Sequence, residues 1–177
     1  MTIALAIDTS TSRTIVGLAD GDKVLFEEYS EGATDHGRAV SDLVTKALAG
    51  NPLPSQVVVG MGPGPFTGLR VGIAFARTFA LSRGIPVIGI CSLDAIEVNH
   101  NSYTVAIDAR RKEIYWARYE DGLRVEGPSV NKPDEVSDFI IDLYPSVARL
   151  VKLSQTRNES EPFYLRRPDA VPTAERS

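Results

Sequence analysis

The sequence predicts an α/β fold: a mixed five-stranded sheet with helices on both faces, followed by a smaller second subdomain. Three observations carry this. Short apolar runs bounded by Gly, Pro and Asp alternate with helical stretches through the first hundred residues. A single apolar stripe repeats with helical period at Val40, Leu43, Val44, Ala47 and Leu48. A polar break at Asn99 to Ser102 is followed by a second hairpin pattern.

Taken in order, Ile3 to Ile7 form a buried strand ending at Asp8, and Thr9 to Ser12 are turn-forming side chains. Thr14 to Ala19 and Lys23 to Tyr29 read as two strands joined by the hairpin turn Asp20-Gly21-Asp22. A helix begins at Thr34-Asp35-His36, carries the stripe described above, and ends at Gly50-Asn51-Pro52. Val57 to Val59 form a short buried strand, and a glycine-rich segment then runs into a second helix. Pro86 to Ile90 read as a further strand, with Ser92 placed to cap a third helix and Asp94 in its first turn.

The second half opens with a hairpin, Tyr103 to Asp108 and Glu113 to Tyr119, turning over Ala109 to Lys112. Helical stretches are expected at Val136 to Leu143 and Ser146 to Leu153, and a loose polar tail from Pro168. The domains expected are therefore residues 1–102 and 103–177.

The chain carries 19 Lys and Arg against 23 Asp and Glu, a net charge of −4. That balance lacks the broad basic field of an autonomous nucleic-acid binder. The single Cys91 excludes an internal disulfide and a multi-cysteine zinc site, which fits a reducing compartment. The N-terminus has no basic leader, and no apolar run approaches the roughly 18 residues of a membrane span. A cytoplasmic protein without a membrane segment is expected.

The segment from Gly60 to Leu81 resembles a phosphate loop entering a helix. A Walker A loop requires Lys followed by Ser or Thr, but Gly68 is followed by Leu69 and Arg70. The spacing of Gly62, Gly64 and Gly68 does not match G-x-G-x-x-G, and Pro63 and Pro65 lack the N–H groups that a cradle uses. Donors at Phe66, Thr67 and Gly68 remain for an anion; the alternative is a rigid turn with Thr67 as helix cap. The helix after it is apolar on nearly every side, with Leu69, Val71, Ile73, Phe75, Phe79 and Leu81 around its axis. Such a helix must be covered on nearly every side. Its own sheet covers about half, so the remainder marks either an interface or the packing of the preceding helix.

Asp8, with Thr9 and Ser10, ends the first strand, and Asp108 ends the corresponding strand of the second half. Actin-like and ribonuclease-H-like folds place phosphate or metal contacts at such positions. Two readings stand: a carboxylate pair holding magnesium through water, or turn and capping residues. His36 and His100 lack metal-ligand spacing, and His36 reads as an interface or capping residue. No nucleophile elbow is present, and no catalytic residue is assigned.

Four blocks of the chain, LAIDTSTS from Leu5 to Ser12, GMGPGPFTGLRVGIAFARTFAL, AIDARRKEIYWARY and EPFYLRRPDAV, resemble the TsaB (formerly YeaZ) family in order. The resemblance implies the actin-like (ASKHA) fold and a non-catalytic relative of TsaD. It implies a place in the bacterial machinery that makes threonylcarbamoyladenosine beside the anticodon of tRNAs reading codons that begin with A. In that machinery TsaD transfers the threonylcarbamoyl group from an adenylate made by TsaC, and the ATPase TsaE supports turnover.

The resemblance further implies a heterodimer with TsaD through the helices matching residues 36–49 and 68–83, and a capacity to self-associate. His36, Val40, Val71, Phe75, Ala76 and Phe79 are the expected contacts. tRNA is met through the complex, and no cofactor is expected, a nucleotide at a subunit junction being left open. Asp8, Thr9, Ser10 and Asp108 would be a vestige of the nucleotide site. TsaD's H-x-x-x-H metal motif is absent. One departure is a shortened second half, with the gap near Leu143. The alternative functions are an autonomous actin-fold peptidase or nucleotide hydrolase and, third, a direct tRNA-binding module.

Overall fold

The structure is a computed structural model that describes residues 2–32 and 35–166. The expected helix start at Thr34 and the tail from Pro168 lie outside the described residues. Strands β1 (Ile3–Asp8), β2 (Arg13–Asp20), β3 (Lys23–Glu31), β4 (Gln56–Gly60) and β5 (Val87–Ile90) form one sheet in the order β3-β2-β1-β4-β5. β1 pairs antiparallel with β2 and parallel with β4, so the sheet is mixed. Its two faces are written into β1. Ile3, Leu5 and Ile7 point toward α1 (His36–Leu48) and α2 (Phe66–Arg83). Ala4 and Ala6 point to the other face, where their small size admits α3 (Val147–Ser154).

A second sheet, in the order β8-β7-β6-β9, consists of β6 (Ser102–Asp108), β7 (Ile114–Glu120), β8 (Leu123–Asn131) and β9 (Phe139–Ile140). The polar break at Asn99 to Asn101 immediately precedes β6, the first strand of this sheet. α3 nevertheless returns to the first sheet, packing Val147, Leu150 and Val151 against β1, β2 and β4 residues. Among the described residues, no helix is long and apolar enough to cross a membrane.

Four local expectations are corrected. α2 starts at Phe66, one residue before the expected Thr67 cap, because the Pro65 carbonyl already accepts from the Leu69 amide at 2.9 Å. Ser92 starts only a 3-10 turn, Ser92–Ala95, since its hydroxyl is committed to the Gly62 amide at 3.1 Å. The stretch from Val136 to Leu143 is not helical. Asp138 and Asp142 take φ of 52° and 65°, and Phe139 and Ile140 pair as β9 with Thr104 and Val105. The apolar spacing there suits either structure, and the open edge of β6 decides it. β8, absent from the sequence reading, is an edge strand whose Leu123 and Val125 face solvent, so burial leaves no mark on it.

Candidate functional site

The glycine-rich segment packs onto the loop after β1. A Cβ at Gly64 would strike the Ser10 backbone, one at Gly68 would lie 3.0 Å from the His36 ring, and one at Gly72 would strike Thr9 Oγ1. The absence of these side chains lets α2 lie directly on Thr9 to Ser10. The Thr9 hydroxyl donates to the Gly68 carbonyl at 2.8 Å and accepts from the Gly72 amide at 3.2 Å. The glycines therefore serve close packing of chain on chain.

Asp8 and Ser10 are fully buried beneath this contact, and Thr9 almost so. Asp8 Oδ1 accepts from the Ser10 amide at 2.8 Å and the Ser10 hydroxyl at 2.6 Å. Oδ2 has no hydrogen-bond partner among the described residues; the Gly60 backbone and the Ser92 hydroxyl lie against it. Burial drives the Asp8 carboxyl above its ordinary range, against the opposing pull of the Ser10 and Ser92 hydroxyls. Asp108, by contrast, is exposed. Its Oδ1 accepts from the Arg110 amide at 2.9 Å, and it lines a cavity of about 220 Å³ with Thr11 and Ser12. The structure does not place Asp8 on the cavity that Asp108 lines.

The six expected contact residues separate by burial. Val40 and Ala76 are 0% exposed, and His36 is buried with Nδ1 at 2.7 Å from the Thr14 hydroxyl. Their burial leaves Val40 and Ala76 no surface to offer a partner, and His36 only an edge on the cavity described below. Ala76 belongs to the inner stripe Leu69, Gly72, Ile73, Ala76 and Ala80, which faces the chain's own sheet and Thr9. Burial holds the His36 imidazole below its ordinary pKa, with the Asp8 charge opposing. Val71, Phe75 and Phe79 are half-buried along one flank, with the Phe75 and Phe79 rings stacked at 6.1 Å. Leu81, on the opposite flank of the helix, is 84% exposed.

Two features escaped the sequence reading. The carboxylate of Asp94, 3% exposed, accepts from Tyr119 Oη at 2.7 Å and Arg157 Nη1 at 2.7 Å, with Arg124 Nε at 3.4 Å. These partners come from β7, the segment after α3, and β8, with no local sequence signal joining them. Next, a cavity of about 380 Å³ opens between the start of α2 and the β6–β7 turn, lined by His36, Phe66, Arg110, Arg111, Tyr164 and Arg166 among others.

A family model described as TsaD: tRNA N6-adenosine threonylcarbamoyltransferase matches residues 30–170. An uncharacterized protein of Mycobacterium leprae is 40% identical over 204 residues, covering 97% of this chain and 57% of that protein. Since 204 exceeds the 177 residues here, the relative carries internal residues without a counterpart in this chain. The tRNA threonylcarbamoyladenosine biosynthesis protein TsaB of Escherichia coli is 34% identical over 149 residues, covering 76% of this chain and 64% of that protein. The chain thus spans less than two thirds of the length of both relatives. A crystal structure from Pseudomonas aeruginosa, described as an uncharacterized protein with similarity to peptidase YeaZ, shares the fold. Its TM-score is 0.80 at 24% identity, over 94% of this chain and 100% of that one.

Proposed function

We propose that this chain, which belongs to the TsaB/YeaZ members of the TsaD family, is a non-catalytic scaffold subunit in the formation of threonylcarbamoyladenosine in tRNA. It binds a TsaD-type transferase along the outer surface of α1 and α2, in the cytoplasm, with the ATPase TsaE as a further partner and tRNA met through the assembly. The observation that carries the reading is the uncovered surface of α2. Phe75 and Phe79 stand half-buried on one flank of the helix and Leu81 stands 84% exposed on the other, apolar side chains that a lone chain leaves wet on both sides of its inner stripe. The sealed Asp8 loop supports a positioning role: the carboxylate best placed for chemistry in an actin-like fold has no open path to a ligand.

Leu81→Asp and Phe79→Asp, each made in the full chain, test this by co-elution with the TsaD of the same organism. Both variants are expected to fold and to lose co-elution, and the reconstituted modification of adenosine falls with it. Undiminished co-elution by folded Leu81→Asp and Phe79→Asp overturns the interface. Ala76→Arg does not serve, because Ala76 is core and its replacement unfolds α2.

A further inference from the structure

The cavity at the start of α2 has a chemistry that helix pairing does not use. Arg110 and Arg111 of the β6–β7 turn line its mouth and Lys112 follows them just outside, the three lying consecutively at φ of 64°, 55° and 62°. Residues other than glycine seldom adopt this left-handed region, and three in succession hold a costly backbone that points to function. Arg166 fastens the turn, donating to the Ala109 carbonyl at 2.9 Å and pairing with Glu113. All three turn residues are exposed, Arg110 with the Asp108 carboxylate at 3.9 Å, so three consecutive cations stand on a chain whose net charge is −4.

Behind the cations the lining is aromatic. Tyr164 is 42% exposed, its ring 5.0 Å from that of the half-buried Phe66, with the buried Tyr115 at the floor of the same cavity. Thr67 and Gly68 bring the opening turn of α2, whose amides have no carbonyl within the helix to bond. Cations at a rim with accessible rings behind them are how proteins hold unpaired nucleotides: phosphates on the charges, a base on a ring.

We propose that this cavity receives an unpaired nucleotide of RNA, its base against Tyr164 and its backbone phosphates along Arg110 to Lys112. The identity of that RNA as tRNA rests on the function proposed above; the site itself does not. An acidic chain gathers little RNA by its overall field, so the contact is local and positions a strand that a partner helps to hold.

The test uses Arg110→Glu with Lys112→Glu, and separately Tyr164→Ala, all at exposed positions. In the reconstituted complex, tRNA binding is followed by fluorescence anisotropy across a salt series. The double charge reversal weakens binding about tenfold or more and lowers the slope of log affinity against log salt by about two. Tyr164→Ala weakens it roughly 5- to 100-fold with the slope unchanged.

Ultraviolet crosslinking of a tRNA anticodon stem-loop to the isolated chain is expected at Tyr164. This readout stands even if no TsaD-type complex forms, while retained co-elution of the variants shows the helix interface intact. Unaltered affinity and slope in both variants overturns the proposal. So does free AMP binding the isolated chain as tightly as the stem-loop, since the cavity would then be a mononucleotide site.

Discussion

The contact of α2 with Thr9 makes a sharp prediction for Gly72→Ala. On an exposed helix this change would stabilise by about 0.8–1.0 kcal/mol through backbone propensity. Here the new methyl falls on Thr9 Oγ1, with Thr9 Cγ2 at 3.1 Å. Overpacking at a buried contact costs about 1–3 kcal/mol, and displacing the hydroxyl from the Gly68 carbonyl and Gly72 amide about 1 kcal/mol more. The net expectation is a loss of about 1–3 kcal/mol, or roughly 3–10 °C in Tm for a chain of this size. Thr9→Ala alone loses the hydroxyl, at about 1 kcal/mol. In that background the obstacle to Gly72→Ala shrinks to Thr9 Cβ at 3.3 Å, so the helix propensity gain dominates. The double variant should be no less stable than Thr9→Ala, giving a coupling on the order of 2 kcal/mol in a double-mutant cycle. Calorimetric melting of the four proteins decides it. Additive losses, or a Gly72→Ala protein as stable as the parent, would refute the account of why glycine recurs along this helix.

Asp8→Asn should raise Tm at pH 7. The folded-state pKa of Asp8 lies above its unfolded value of 3.8, so the native chain loses stability as pH rises through that value toward the folded one; the gain should fade as melting is repeated toward pH 4. His36 shifts the other way. Its folded pKa lies below 6.5, so its contribution is present above 6.5 and lost on acidification, and His36→Gln should flatten the decline in Tm measured between pH 7 and 5. Asp94→Asn leaves the partly exposed Arg124 and Arg157 without their shared carboxylate. A loss of about 2–3 kcal/mol is expected, read as denaturant midpoint, and an unchanged midpoint would show the cluster to be inert.

Legibility in the sequence followed the range of the interactions. α1 was legible because its stripe is local, and β1 because a strand buried on both faces is a continuous apolar run. β9 was not, because Val136, Phe139, Ile140 and Leu143 satisfy a helical period until the free edge of β6 supplies a partner. The Asp94 cluster was not, because its members meet only after two sheets and a helix are in place. Of the site, the turn at Ala109 to Lys112 was visible as a turn. Its left-handed backbone, and the approach of Tyr164 and Arg166 from the far end of the chain, were not.

The glycine-rich segment shows why composition alone misleads about such loops. A phosphate cradle and a close helix contact both demand glycine, the first because a ligand approaches the backbone and the second because another piece of chain does. What separates them is whether the facing atoms are already occupied. Here Thr9 Oγ1 occupies the Gly68 carbonyl and the Gly72 amide, and the Ser10 backbone fills the space over Gly64. The inner side of α2 is thereby spent on its own chain, which turns Phe75, Phe79 and Leu81 away from it. The same constraint that closes the loop to a phosphate therefore leaves Phe75 and Phe79 on one flank, and Leu81 on the other, for a partner to cover.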